Sequence, residues 1–181
     1  MNTDLRIIED YPRATPDERV NMILDYYSRL DYILNFLRIY LVNTITELKR
    51  AEAEEKRGEN VRVQNSHFSD PTAETAVQHI DIEEFLNSKR SIRYMKLDDE
   101  SALLVRDRIN AYRKIRKDYL MIGEHLEGSN NDRLTMYHLY LSKQKTVTDI
   151  ADEQGVTERA IRKRFKNTRV EIIELVSQFI D

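Results

Sequence analysis

Cysteine is absent from this chain. That excludes disulfides, thiol nucleophiles and cysteine zinc sites together, and it fits a reducing cytoplasm. Turn formers are scarce, with 4 Gly and 3 Pro among 181 residues, which leaves little room for a turn-rich β fold. No run of about 18 apolar residues exists to span a bilayer, so no membrane partner is expected. The opening MNTDLRIIEDYPR lacks a basic start followed by an apolar core and does not read as a signal peptide. The phosphate-cradling and nucleophile motifs G-x-x-x-x-G-K-[ST], G-x-G-x-x-G and G-x-S-x-G are missing as well. His67, His79, His125 and His138 show no i, i+4 metal spacing, and no carboxylate pair stands out as a catalytic dyad. No catalytic residue, metal or cofactor is expected, and an enzyme is the least favoured class.

What is present points to long helices. Hydrophobic residues make up 40% of the chain and charged residues 34%, a charge content normal for extended helical segments. Residues 1–14 read as a loose arm. Thr15-Pro16-Asp17-Glu18 then combines an N-cap, a proline at the first helical position and a capping-box glutamate. No further breaker occurs before Gly58, a natural C-terminal stop. The spacing predicts one helix over 16–57, about 63 Å long at 1.5 Å per residue.

Along it, Ile23, Tyr27, Leu30, Leu34, Leu37, Leu41, Thr44 and Leu48 follow 4, 3, 4, 3 spacing, the period of a helix-on-helix seam. Tyr26, Ile33 and Tyr40 form a second stripe at sevens. A helix this long outruns the partner offered by the stripe Ala102, Val105, Ile109, Tyr112, Ile115, Tyr119 and Ile122. Ile23, Tyr27, Leu30, Leu34, Leu37, Leu41 and Leu48 are therefore expected to form a homodimer interface, with intramolecular bundle packing as the alternative. Residues 58–69 read as a linker, and Asp70-Pro71 as the next helix start with Asp70 the cap. A break is expected near 97–100, where aspartates favour a cap over a helix interior. The expected architecture is all-α: a long N-terminal helix and helical bundle over 1–127, then a helix-turn-helix domain over 128–181.

The net charge is -3, but its sign is unevenly spread. Between 157 and 170, six Lys/Arg stand against Glu158 alone, and local field outweighs net charge in docking on phosphates. This run closes a pattern over 147–169. Ile150 and Ala151 face inward on a short helix, Gly155 makes a sharp turn, Val156 plugs the corner and Thr157 caps the next helix. Ile161 and Phe165 then share a buried face.

Such a helix can enter the major groove of double-stranded DNA. Glu158, Arg159 and Arg162 are expected near base edges, with Lys163, Lys166 and Arg169 on phosphates. Thr146 or Thr148 is placed to donate to a phosphate, beside the capping Thr157. A solvated charged surface is the plain alternative. A second basic stretch, 89–117, holds ten Lys/Arg against four acids. Pairing with the acidic N-terminal helix is favoured there over a nucleic-acid contact.

Residues 134–175 resemble the promoter-reading C-terminal region of bacterial sigma factors. The matching residues are Ile150-Ala151, Gly155-Val156 and the run from Thr157-Glu158 through Ile161-Arg162 to Phe165. The overall layout, with Ser69-Asp70-Pro71-Thr72-Ala73 at the junction, is similar to sigma-like regulators encoded by phages of Gram-positive bacteria, the RinA/ArpU type. That resemblance implies transcriptional control of late phage genes in the cytoplasm of a bacterial host cell, with RNA polymerase as a further partner. Two alternatives carry the same motif: a small-terminase-like packaging protein, and a sigma-mimicking module that binds polymerase or a repressor.

Overall fold

The computed structural model describes residues 3–59, 71–128 and 131–180. Its α-helices are α1 (Thr3–Asp10), α2 (Pro16–Glu59), α3 (Pro71–Leu86), α4 (Asp99–Glu127), α5 (Asp132–Leu141), α6 (Val147–Gln154) and α7 (Glu158–Val176). Short 3-10 turns follow α1, precede α4 and extend α7. The described residues contain no strand, so the chain is all-α.

The helix starts follow the capping chemistry of the sequence. At α2, Glu18 Oε2 accepts from the Thr15 amide at 2.8 Å, and Thr15 Oγ1 accepts from the Glu18 amide at 3.4 Å. At α4, Asp98 accepts from the Ser101 amide at 2.7 Å. The expected break is therefore real but wider, because α3 stops at Leu86. Ser88 Oγ donates to Phe85 O at 2.8 Å there, diverting a terminal carbonyl. Helix α2 continues through Gly58 to Glu59, so that glycine is not its stop. The linker over 60–69 and the Asp70 cap lie outside the described residues.

By contacts the chain divides into two compact units, one of residues 1–33 with 114–181, the other of residues 34–113. This differs from the expected division between 127 and 128. Within the first unit, Arg169 of α7 binds Asn21 and Asp25 near the start of α2.

In the first unit, residues 3–13 of the expected loose arm are helical. Ile7 and Tyr11, four apart, are fully buried, and the Tyr11 hydroxyl donates to Asp118 Oδ2 at 2.7 Å. Arg19 pairs with the same buried carboxylate. Burial, and then the Asp118 charge, pushes the Tyr11 hydroxyl well above the usual phenol range. Tyr27 meets the Tyr119 ring at 5.2 Å and the His138 ring at 5.6 Å, both edge-on.

In the second unit, α2 and α4 run in opposite directions: Arg108 donates to Tyr40 at 2.8 Å, and the Asp98 amide to Glu52 at 3.1 Å. Arg113 caps α3, donating to the carbonyls of Phe85, Leu86 and Arg90 at 2.6, 3.3 and 3.0 Å.

The proposed dimer seam is consumed by this packing. Ile23, Leu30 and Leu41 are fully buried; Tyr27, Leu34 and Leu37 nearly so; Leu48 is half-buried. All but Leu48 are interior to one chain, which corrects the assignment of this seam as a dimer interface. The sequence argument undercounted the available partners: α1, α3 and α4 all contribute buried apolar residues, among them Ile7, Ile82, Phe85, Leu86, Val105 and Ile115. Each such side chain contributes about 1.5–3 kcal/mol when fully buried, so one chain satisfies the seam itself. Of the second stripe, Ile33 is buried, whereas Tyr40 is partly exposed.

Candidate nucleic-acid interface

Helices α5, α6 and α7 build the motif. Thr146 caps α6 through a complete capping box, its Oγ1 accepting from the Asp149 amide while the Asp149 carboxylate accepts from the Thr146 amide at 2.8 Å. That backbone bond, and then the Thr146 hydroxyl, holds the Asp149 carboxyl below the usual range. Gly155 ends α6 in the left-handed region at φ 62° and ψ 32°. Its amide donates to Asp152 O at 3.2 Å, and the Val156 amide reaches back to Ala151 O at 3.0 Å, closing the helix as a Schellman turn. Thr157 then caps α7, accepting from the Ala160 amide at 3.3 Å.

The buried stripe of α7 comprises Ile161, Phe165, Thr168, Ile172 and Val176. Phe165 lies 5.2 Å from the Tyr137 ring and 4.9 Å from the Tyr140 ring, both on α5. Arg133 of α5 pairs with Glu171, with Nη1 to Oε1 at 3.1 Å. These contacts fix which way α7 faces.

Arg159, Arg162, Lys163 and Lys166 are exposed. Their i, i+3, i+4, i+7 spacing gathers them on one face, opposite the buried stripe. Arg164, whose direction the sequence left open, is exposed on a flank. Helix α6 carries acids instead. Asp149 is engaged in its cap, and Glu153 is held by Lys145 at 2.6 Å.

Five of the sequence-predicted site residues, Arg169, Thr146, Thr157, Thr148 and Glu158, are engaged in contacts of the fold. Arg169 is half-buried and bound to α2, with Nε to Asn21 Oδ1 at 2.9 Å and Nη1 to Asp25 Oδ1 at 2.6 Å. It borders the buried stripe, four residues after Phe165 and four before Ile173, and so belongs to the packing rather than to the open face. The Asp25 bond raises its already high pKa. The hydroxyls of Thr146 and Thr157 serve caps.

The Thr148 hydroxyl donates to Glu158 Oε1 at 2.7 Å, and Glu158 Oε2 accepts from Arg162 Nη2 at 2.7 Å. Those bonds, Thr148 first, hold the Glu158 carboxyl below its usual range. The Glu158–Arg162 half is visible in the sequence as an i, i+4 pair. The Thr148 half depends on how α6 meets α7, and sequence reasoning missed it.

Three arginines of the second basic stretch meet carbonyls and rings rather than the acids of α2, while Arg106 pairs with its neighbour Asp107 at 3.5 Å. Arg113 also lies over Phe85 at 4.4 Å, Arg90 over Tyr94 at 4.4 Å and Arg108 over Tyr40 at 5.2 Å. Among the described residues, no group of three or more His, Asp or Glu is placed to hold a metal ion, and no helix is long and apolar enough to cross a membrane. No family model, curated protein or solved structure matches the chain.

Proposed function

We propose that this chain binds double-stranded DNA through α7 and acts as a sequence-specific transcriptional regulator, of the sigma-like phage kind its motif resembles. One observation carries the proposal. Arg159, Arg162, Lys163 and Lys166 stand exposed together on a helix that a left-handed glycine turn and an aromatic core hold in position. A rigid cationic face of helical width is what the major groove accepts. Under this reading the protein works in the cytoplasm of a bacterial host, on late phage genes.

A homodimer remains part of the proposal but cannot use the buried seam. On α2, Phe36 and Ile39 stay exposed. Sedimentation of the full chain with and without DNA gives the stoichiometry directly.

The test is binding of the full chain to duplex DNA by fluorescence anisotropy across a salt series. The two phosphate contacts assigned to Lys163 and Lys166 give a slope of log affinity against log salt of about -1.8. Absence of binding at low salt overturns the proposal. A ring-sized mass in solution favours the small-terminase alternative over a regulator. Capture of RNA polymerase in the absence of DNA favours the sigma-mimicking one.

A further inference from the structure

Glu158 is the only acid among residues 157–170, and it sits at the first position of α7. For a helix whose task is to attract a polyanion, a negative charge there is a local disadvantage. Helix-dipole stabilisation accounts for an acid at a helix N-terminus, but not for its two further bonds. One oxygen is fixed by Thr148 from α6, the other by Arg162 one turn along α7, each at 2.7 Å. A single carboxylate thus ties both helices of the motif to one guanidinium. The pair remains accessible: the Arg162 side chain is 66% exposed and that of Glu158 43%.

An unrestrained arginine samples many rotamers and suits a phosphate contact. A guanidinium has five N–H donors, and Glu158 engages only the Nη2 end of this one. Donors remain for a bidentate contact, which guanine O6 and N7 accept in the major groove.

We infer that Glu158, anchored by Thr148, is a positioning residue that holds the Arg162 guanidinium for guanine recognition and so gives α7 its sequence preference. This rests on the DNA-binding reading of α7 and adds to it the origin of specificity. The strut works against general affinity, because its charge repels phosphate, and in favour of discrimination. Removing it moves the two quantities in opposite directions.

The experiment uses the full chain and a random-sequence duplex pool. Enriched duplexes are recovered, and affinity for the enriched duplex is compared with affinity for a scrambled one. Thr148→Val is expected to lower that ratio about tenfold, the scale of one good bidentate base contact, while leaving the scrambled duplex bound as before. Thr148→Ser keeps the hydroxyl and restores the ratio. Glu158→Gln lowers the ratio and tightens binding to the scrambled duplex about twofold, since a repelling charge is gone. Circular dichroism reports whether each variant is folded.

A wild-type ratio in both Thr148→Val and Glu158→Gln overturns the assignment. So does a wild-type chain that binds duplex DNA without enriching any sequence, and the DNA reading survives both results. A wild-type chain that binds no duplex at all overturns the DNA reading and this assignment together.

Discussion

Two stretches of this chain are rich in Lys and Arg and differ in what engages their arginines. Residues 89–117 and 157–170 both bristle with Lys and Arg. In the first, three arginines lie against the surrounding structure: Arg113 on three carbonyls and a ring, the exposed Arg90 and Arg108 over tyrosines. In the second, four cations share an open face while an aromatic core fixes the opposite one. Composition does not separate them. What does is the neighbourhood. Interrupted helix ends and exposed rings surround the first stretch and give guanidinium groups local partners. Both stretches run largely along continuous helices, but only the first passes the end of α3, whose carbonyls Arg113 takes.

The largest expected effect tests the open face. Arg162→Ala with Lys166→Ala should lower duplex affinity about 100-fold or more at moderate salt, by removing one base-reading and one phosphate contact. The melting temperature should barely change, because both side chains are exposed. An affinity within threefold of wild type would place the DNA contact elsewhere and dissolve the contrast. The first stretch should respond the other way. Arg113→Ala removes this donor from the Leu86 and Arg90 carbonyls, while Phe85 O keeps the Ser88 amide and hydroxyl. It is expected to cost about 1–2 kcal/mol of stability, with DNA affinity unchanged. Arg113→Lys should recover only part of that loss, since a single ammonium cannot reproduce the planar fork. Denaturant titration reads the stability and anisotropy the binding.

How much of this was legible in the sequence follows from how local each signal is. The capping box at Thr15, the Asp98 cap, the Gly155 turn and the Thr157 cap are encoded within four residues, and each forms as the spacing suggests. The equally local box at Thr146 also forms, at a residue the sequence reading assigns to a phosphate contact instead. The buried stripe of α4 was legible for the same reason. The seam on α2 was correct as a pattern but wrong as an interface. Its period states that a helix needs partners, and it is silent on whether they belong to the same chain. Ile7 and Tyr11 offered only one i, i+4 pair, too little signal to announce a helix. At the site, the exposed cations were legible from their distance to Ile161 and Phe165. The commitment of Arg169 to Asn21 and the bond from Thr148 to Glu158 were not, because each depends on helix docking between residues far apart in sequence or across a turn.

Arg169 sharpens the comparison because it belongs to the open stretch by sequence and to the engaged class by structure. Its guanidinium bridges Asn21 and Asp25 at 2.6–2.9 Å while its side chain stays 30% exposed. Arg169→Ala is expected to cost about 1–2 kcal/mol, a charge-assisted bond discounted for solvent screening. Duplex affinity should fall less than about twofold, and the salt slope should keep its wild-type value, because no phosphate contact is lost. A slope shallower by about one unit would return Arg169 to the DNA face.

The smallest effect concerns the turn that lets the second stretch start a clean helix. A Cβ added at Gly155 would meet nothing within 4 Å, so space is not what glycine supplies there. Its φ of 62° is. An L-residue in that region costs about 1–2 kcal/mol, with asparagine among the least penalised. Gly155→Ala should therefore lose about 1 kcal/mol and Gly155→Asn less, in denaturant titrations of the full chain. Binding to duplex DNA should follow stability and show no separate defect, since the cations of α7 lie beyond the turn. If alanine instead abolished binding in a folded protein, the angle between α6 and α7 would itself have to be part of recognition. The contrast between the two cationic stretches would then rest on helix geometry more than on exposed charge.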